Sequence, residues 1–407
     1  MIYKITGSIV SGGKIDLPAS KSICNRLLVI NKLCNSPYTP TNISDSDDTR
    51  VLIEALETNE GKVDIGAAGT SMRFMTAYLA QKPGKHILTG SERMKKRPIA
   101  LLVEALRKLG AKISYAEAEG FPPLIIEGRE LHGCRIDLPG HVSSQYISAL
   151  MMIAPVVSGG IEIHLEGKVI SRPYVNMTLN LMRAFGIDCV WNDNVISIPE
   201  GNYEPREMRI EADWSAASYW YSVAALSPAQ PFDLMGLDRE SLQGDIGCVE
   251  IAAHLGVTTT FIDGGVRIVA SGKPTSKFVY DFCNQPDLAQ TFVVLCCLLG
   301  TTFKFSGLDS LKIKETDRIT ALVNEMAKLG FVLETNRVNT IEWNGRRGPA
   351  SQLPILTYKD HRMAMSFAPA ALRNTCVLID EPTVVTKSYP RFWDDMKSIG
   401  FNIEEIE

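Results

Sequence analysis

Ile15-Asp16-Leu17-Pro18-Ala19-Ser20-Lys21-Ser22 runs from a strand-like segment into a small polar turn, and Ile136-Asp137-Leu138-Pro139-Gly140 with Val142-Ser143-Ser144 echoes it almost literally. After the first copy, Ile23, Leu27, Leu28 and Ile30 fall at helical spacing, so the pattern reads strand, turn, helix. A repeat decides a fold before any single element does. The same kind of turn recurs at Gly69-Thr70-Ser71, Asp213-Trp214-Ser215, Pro286-Asp287-Leu288 and Lys359-Asp360-His361. Lys21, Thr70, Ser143, Asp213, Asp287 and Asp360 are therefore 49, 73, 70, 74 and 73 residues apart.

A second series interleaves with the first. Gly110, Gly186, Gly256, Gly330 and Gly400 each follow an apolar helical run and precede a strand-like one, where a left-handed helix cap favours glycine. Their steps are 76, 70, 74 and 70 residues. A sixth copy is missing near Leu56-Glu57-Thr58-Asn59, inside the one short interval, which implies a first unit trimmed of its hairpin. Six α/β units suit two lobes of three, because a single core stops growing at about 250–300 residues. Converging helix starts would line a cleft with unpaired N–H groups and positive dipole ends, suited to anions.

Composition narrows the function. The chain has 407 residues, 45% hydrophobic and 22% charged, with a formal net charge of −4. Basic residues are not massed into blocks, so nothing provides the global field that non-specific nucleic-acid binding needs, and any anion site must be local. The longest apolar run, Phe292 to Leu299, is too short to cross a bilayer, and Met1-Ile2-Tyr3-Lys4 does not open a signal peptide. The expected setting is the cytoplasm, with no membrane or nucleic-acid partner. The nine cysteines include no C-x-x-C pair, and with six histidines they show no metal-ligand spacing. Neither a metal nor a cofactor is expected.

Four stretches hold the chemistry. Lys312-Ile313-Lys314-Glu315-Thr316-Asp317-Arg318 precedes the helical pattern Ile319, Leu322, Val323, Met326. On the opening of that helix Lys314 and Arg318 are neighbours at i,i+4, and Glu315 and Arg318 at i,i+3. Alone, this reads first as a surface ion-pair turn, with a carboxylic acid held beside anion-binding cations as the functional alternative. Lys21 stands near a helix start, against the dipole, with serine on both sides and Arg26 beyond. Gly66-Ala67-Ala68-Gly69-Thr70-Ser71-Met72-Arg73 is a Gly-framed turn into a helix; it is neither a P-loop nor a dinucleotide fingerprint. Arg93-Met94-Lys95-Lys96-Arg97-Pro98 gathers four cations, and a proline pre-set for a first helical turn would fix Arg97.

Together these motifs resemble the 5-enolpyruvylshikimate-3-phosphate synthase family. The likeness runs through Leu17-Pro-Ala-Ser-Lys-Ser with Arg26, Asp45-Ser-Asp-Asp, Ala68-Gly-Thr-Ser-Met-Arg, Arg93-Met-Lys-Lys-Arg-Pro-Ile, Val142-Ser-Ser-Gln, Ser171-Arg-Pro-Tyr, Gln243-Gly-Asp, Pro286-Asp287, Lys314-Glu-Thr-Asp-Arg, Asp360-His-Arg-Met-Ala-Met and Lys387. The resemblance implies an α/β, two-lobed enolpyruvyl-transferase fold, each lobe three βαβαββ units in an inside-out α/β barrel, closing over a central cleft. One lobe would comprise residues 1–19 and 211–407 and the other 20–210. The implied partners are two small molecules, shikimate 3-phosphate and phosphoenolpyruvate, met by a monomer that joins them and releases phosphate.

Residue by residue, the resemblance assigns shikimate 3-phosphate to Lys21, Ser22, Arg26, Ser143, Ser144, Gln145, Ser171 and Tyr174, with Asp287 and Lys314 reaching its ring hydroxyls. Phosphoenolpyruvate falls to Lys21, Gly69, Arg97, Gln145, Arg318, Arg362 and Lys387. Asp287 is the candidate for activating the 5-hydroxyl, and Glu315 and Lys21 for the proton transfers at the methylene carbon. The chain departs from the family pattern at Ala67, where asparagine is usual, at Phe74, where proline is common, and at Ser310, where asparagine often meets the shikimate phosphate. Two other functions are weighed. The enolpyruvyl transferase acting on UDP-N-acetylglucosamine carries a loop cysteine that Ser91-Glu92-Arg93-Met94-Lys95-Lys96 lacks. A phosphometabolite-binding paralogue without turnover could share the fold, because fold does not fix function.

Overall fold

A computed structural model describes residues 1–7, 10–228 and 230–406. The chain forms two compact units, a discontinuous one of Met1–Ala19 with Glu211–Glu407 and a continuous one of Ser20–Ile210.

In the continuous unit two sheets follow one plan. Strand Gly61–Asp64 pairs in parallel with Gly84–Thr89, which pairs antiparallel with Leu124–Gly128, which in turn pairs antiparallel with Lys112–Tyr115. A parallel pair needs a crossover, here helix Gly69–Gln81, whereas the antiparallel pair closes as a hairpin after helix Ala100–Lys108. Arg135–Pro139, Ile161–Glu166, Val195–Ile198 and Val190–Asn192 repeat the order, with helices Ser144–Ile153 and Arg172–Ala184 in the same places. The first repeat, as its short interval anticipates, has helices Lys21–Leu33 and Asp47–Glu57 and a parallel bridge between Thr41 and Arg209, with no hairpin among the described residues.

The discontinuous unit has the plan again in Lys277–Asp281, Thr302–Ser306, Ile341–Trp343 and Glu334–Thr335. Its other two sheets borrow strands from the chain start. Gly13–Asp16 pairs in parallel with Phe232–Met235 at the edge of a four-stranded sheet, and Ile2–Thr6 lies between Val377–Asp380 and Asn402–Ile406, antiparallel to both.

Burial separates two kinds of helix. Those that follow the polar turns are enclosed on every face: Trp214–Leu226 is buried along its whole length, and Gly69–Gln81 from Ser71 to Ala80. Such all-round burial marks a core helix. Outer helices are amphipathic; Ala100–Lys108 buries Leu102, Val103, Ala105 and Leu106 and exposes Glu104, Arg107 and Lys108. The strands alternate in burial, as in Arg135–Pro139 where Ile136 and Leu138 face inward, so each sheet covers a helical interior with one face and meets solvent with the other.

All six polar turns begin helices, and Ser20, Ser143, Asp213 and Asp360 cap them with their own side chains. The five glycines of the second series have positive φ, from 80° to 110°, the backbone that ends a helix without a Cβ penalty.

Candidate active site

In the discontinuous unit, three helix starts from two successive repeats bring together Asp287, from the turn Pro286–Leu288, Arg318, from the start of helix Arg318–Lys328, and Asp360 with Arg362, from the start of helix His361–Phe367. Arg318 is at the centre. Its Nε lies 2.7 Å from Asp360 Oδ2, Nη1 lies 3.0 Å from Asp287 Oδ1, and Nη2 lies 3.0 Å from Glu315 Oε2. One rigid fork thus joins three carboxylates, which only a guanidinium can do. Arg362 Nη2 sits 3.0 Å from Asp287 Oδ2, Lys314 Nζ sits 3.5 Å from Asp287 Oδ1, and Lys387 Nζ sits 2.8 Å from Glu315 Oε1.

The local structure differs from the sequence reading at this point. Lys314 and Glu315 do not lie on the helix; Lys314 is extended after the 3₁₀ turn Asp309–Ile313, and the helix starts at Arg318. The reason is Asp317, whose carboxylate accepts a hydrogen bond from Thr320 N and caps the helix. Glu315 is consequently flanked by Arg318 and Lys387, and Lys314 turns to Asp287 instead.

Electrostatics follow from this packing. Burial acts to raise the Asp287 pKa, but Arg362, Lys314 and Arg318 outweigh it and hold the carboxyl well below its usual range. Arg318 is raised: burial opposes its charge, and Asp360, Glu315 and Asp287 overcome that cost. Desolvation lowers the Lys314 ammonium, with Asp287 opposing it. Asp245 behaves differently. It is buried, accepts a hydrogen bond from Ser215 Oγ and feels the charge of Asp287, and its pKa rises to about 6, chiefly from desolvation. Ser215 Oγ also accepts from Arg362 Nη2 at 3.4 Å, and Tyr219 Oη from Arg362 Nη1 at 3.2 Å.

The continuous unit holds a second set. Lys21 begins its helix and places Nζ 3.0 Å from Asp48 Oδ2. Arg26 is 2% exposed and among the described residues bonds to neutral oxygens alone: Thr178 Oγ1 at 2.6 Å, Ser22 O at 2.8 Å, and Ser148 Oγ and Tyr174 O at 3.2 Å. Burial pulls its pKa down to about 10. Gln145 donates to Thr70 Oγ1 at 2.9 Å and Ser143 Oγ accepts from Gln145 N, which draws two helix starts together. Ser144 opens the helix that Ser143 caps, and Ser171 precedes the helix bearing Tyr174 in a left-handed conformation, φ 54°, that non-glycine residues seldom adopt.

Arg97 is the most open of these cations to a new anion. It is 7% exposed, and its buried Nε has no hydrogen-bond partner among the described residues. Its neighbour is Gly69: a Cβ there would lie 2.3 Å from Arg97 Nη1, so only glycine leaves the guanidinium its place. Pro98 does not open the following helix, as its position suggests; Ile99 caps Ala100–Lys108, and Arg97 is instead held by its N–H to Met94 O, 3.0 Å.

Sequence reasoning gave no role to Asp48, Asp245 or Asp360. Each stands inside a quoted motif; for Asp48 and Asp360 the signal that could have found them is the counter-charge that Lys21 and Arg318 gain on burial, whereas Asp245 holds the Ser215 hydroxyl.

A family model described as EPSP synthase (3-phosphoshikimate 1-carboxyvinyltransferase) matches residues 52–396. A protein of Bacteroides fragilis named 3-phosphoshikimate 1-carboxyvinyltransferase is 53% identical over 406 residues, 99% of each chain. One of the same name from Vibrio campbellii is 33% identical over 421 residues, covering 95% of this chain and 97% of its own. The solved EPSP synthase of Acinetobacter baumannii superposes with a TM-score of 0.79 at 21% identity, covering 99% of this chain and all of that one, a likeness of fold.

Proposed function

The chain belongs to the EPSP synthase family, and from that premise we infer that it is a transferase moving the enolpyruvyl group of phosphoenolpyruvate to the 5-hydroxyl of shikimate 3-phosphate. Phosphate is the second product, and the reaction serves aromatic amino acid synthesis through chorismate. The likeness along the whole chain carries this reading, and neither UDP-N-acetylglucosamine transfer nor a binding paralogue has comparable support.

The reaction adds before it eliminates. The 5-hydroxyl oxygen attacks C2 of phosphoenolpyruvate and loses its proton, C3 gains a proton to become a methyl group, and a tetrahedral intermediate results. Loss of a C3 proton with departure of phosphate then restores the double bond. We assign the hydroxyl to Asp287, which Arg318, Arg362 and Lys314 keep ionised. Glu315 and Lys21 are assigned the protons at C3.

Within residues 20–210, Ser22, Arg26, Ser143, Ser144, Gln145, Ser171 and Tyr174 are assigned to shikimate 3-phosphate, which Lys21 also contacts. Arg26 supports this assignment, being a desolvated cation whose partners among the described residues are neutral. Lys21, Gly69, Arg97 and Gln145 are assigned to phosphoenolpyruvate, supported by the buried Arg97 Nε that lacks a partner among the described residues. Within the other unit, Lys314 with Asp287 takes ring hydroxyls, and Arg318, Arg362 and Lys387 take the phosphate and carboxylate of phosphoenolpyruvate. These three cations each hold a carboxylate of the protein, so the substrate's anions exchange with Asp287 and Glu315. Asp287 then loses part of the positive field that depresses its pKa and becomes a stronger base as substrate arrives.

We place the protein in the cytoplasm as a monomer; its nine free cysteines suit a reducing compartment. The experiment is phosphate release from phosphoenolpyruvate, with and without shikimate 3-phosphate. Release that depends on both is expected, and no release at millimolar concentrations with both still bound would end the enzyme reading.

A further inference from the structure

Helix Arg318–Lys328 holds a buried carboxylate, seven residues and two turns beyond Arg318 and so on the same face. Glu325 is 0% exposed. Its Oε2 accepts a hydrogen bond from Leu356 N at 2.8 Å, its Oε1 accepts one from Tyr358 Oη at 2.8 Å, and Lys328 Nζ lies 2.6 Å from Oε2. Lys328 Nζ also donates to Pro354 O at 2.7 Å. Three contacts thus tie Pro354–Tyr358 to the C-terminal half of this helix, while Arg318 at its start grips Asp360.

What lies between the two grips is strained. Tyr358 and Lys359 are consecutive non-glycine residues with φ of 53° and 57°, in the left-handed region that such residues avoid. The turn they make returns Asp360 N to Thr357 O at 2.9 Å and delivers Asp360 to cap the helix that carries Arg362. Left to local preference, these residues would take right-handed or extended backbone and carry Asp360 and Arg362 elsewhere.

We propose that Glu325 is a positioning residue: through Tyr358 and Leu356 it locks the left-handed turn that sets Asp360 and the Arg362 guanidinium in place for the substrate's anionic groups. Enclosed as it is, Glu325 touches no substrate. The proposal rests on the assignment of Arg318 and Arg362 to phosphoenolpyruvate.

Two variants test it, Tyr358→Phe, which removes one hydroxyl from a half-buried side chain, and Glu325→Gln, which keeps the shape and one acceptor. Displacing a binding group by a fraction of an ångström should raise the KM for phosphoenolpyruvate about tenfold in Tyr358→Phe. The KM for shikimate 3-phosphate should stay within about twofold, since of its assigned groups only Asp287 pairs with Arg362. Hydrogen exchange of the unliganded protein supplies an arm that needs no turnover: amides of residues 357–362 should exchange at least about tenfold faster, while those of helix Trp214–Leu226 are unchanged. Unchanged exchange at 357–362 in Tyr358→Phe, or equal KM increases for both substrates with a general loss of protection, overturns the proposal, even if Glu325→Gln fails to fold. Absence of phosphate release from the parent protein would refute the assigned reaction and leave the exchange arm to decide.

Discussion

Arg318 Nε lies 2.7 Å from Asp360 Oδ2, and the two side chains are 1% and 0% exposed. A pair so enclosed gains little over apolar packing, but removing one partner strands the other, at about 3–5 kcal/mol. Arg318→Ala strands Asp360 and weakens the hold on Asp287 and Glu315 as well. Its resistance to urea should fall by about that amount, and by less in Arg318→Lys, whose single ammonium cannot span three carboxylates. A loss under about 1 kcal/mol in the alanine variant would show that water re-enters and solvates the acids.

At Gly69, one methyl group decides a binding constant. A Cβ there comes within 2.3 Å of Arg97 Nη1 and must push the guanidinium aside. Steady-state kinetics of Gly69→Ala should show KM for phosphoenolpyruvate raised about tenfold or more, with a smaller change for shikimate 3-phosphate. Equal effects on both substrates would detach Arg97 from phosphoenolpyruvate.

Asp287→Asn and Glu315→Gln keep the size of each side chain and remove its proton chemistry. Turnover should fall by about 10²–10⁴-fold in each. Phosphoenolpyruvate should still bind in a calorimeter, because its cations remain. Near-normal kcat in either variant removes that residue from the mechanism.

Asp245 gives a pH signature. Its pKa is raised from 3.8 to about 6, so the folded protein holds this proton more tightly than the unfolded chain does. The group therefore contributes stability below pH 3.8 that is lost as pH rises to about 6, on the order of 3 kcal/mol in all. Asp287, depressed, acts in the opposite sense and below that window. Relative to the parent, Asp245→Asn should gain several degrees in Tm between pH 4 and pH 7. A difference between the two proteins that does not vary with pH would show that Asp245 does not titrate there.

Local signals were legible, and distant partnerships were not. Ser20, Ser143, Asp213 and Asp360 could be placed at helix starts, and Gly110 to Gly400 at helix ends, because a cap and its apolar run lie within a few residues of each other. The boundary at Lys314-Glu315 was lost because the apolar spacing from Ile319 onward says nothing of where the first turn begins, and Asp317 settled it. Asp360 is 42 residues from Arg318, and Asp48 is 27 from Lys21, separations at which no periodicity announces an ion pair. Glu325 with Lys328 at i,i+3 reads as an ordinary surface pair on an amphipathic helix, and only the fold of Pro354–Tyr358 over it makes it a buried one.

The placement of Ile2–Thr6 between Val377–Asp380 and Asn402–Ile406 governs the order in which the molecule can be made. That strand leaves the ribosome before either of its neighbours. At about 5–20 residues per second, the roughly 400 residues between it and Asn402–Ile406 take on the order of 20–80 s to translate. Ser20–Ile210 is one uninterrupted stretch and is fully synthesised within that interval. Until Val377–Asp380 and Asn402–Ile406 emerge, the strand waits with two open edges, the state in which a nascent chain most needs a chaperone.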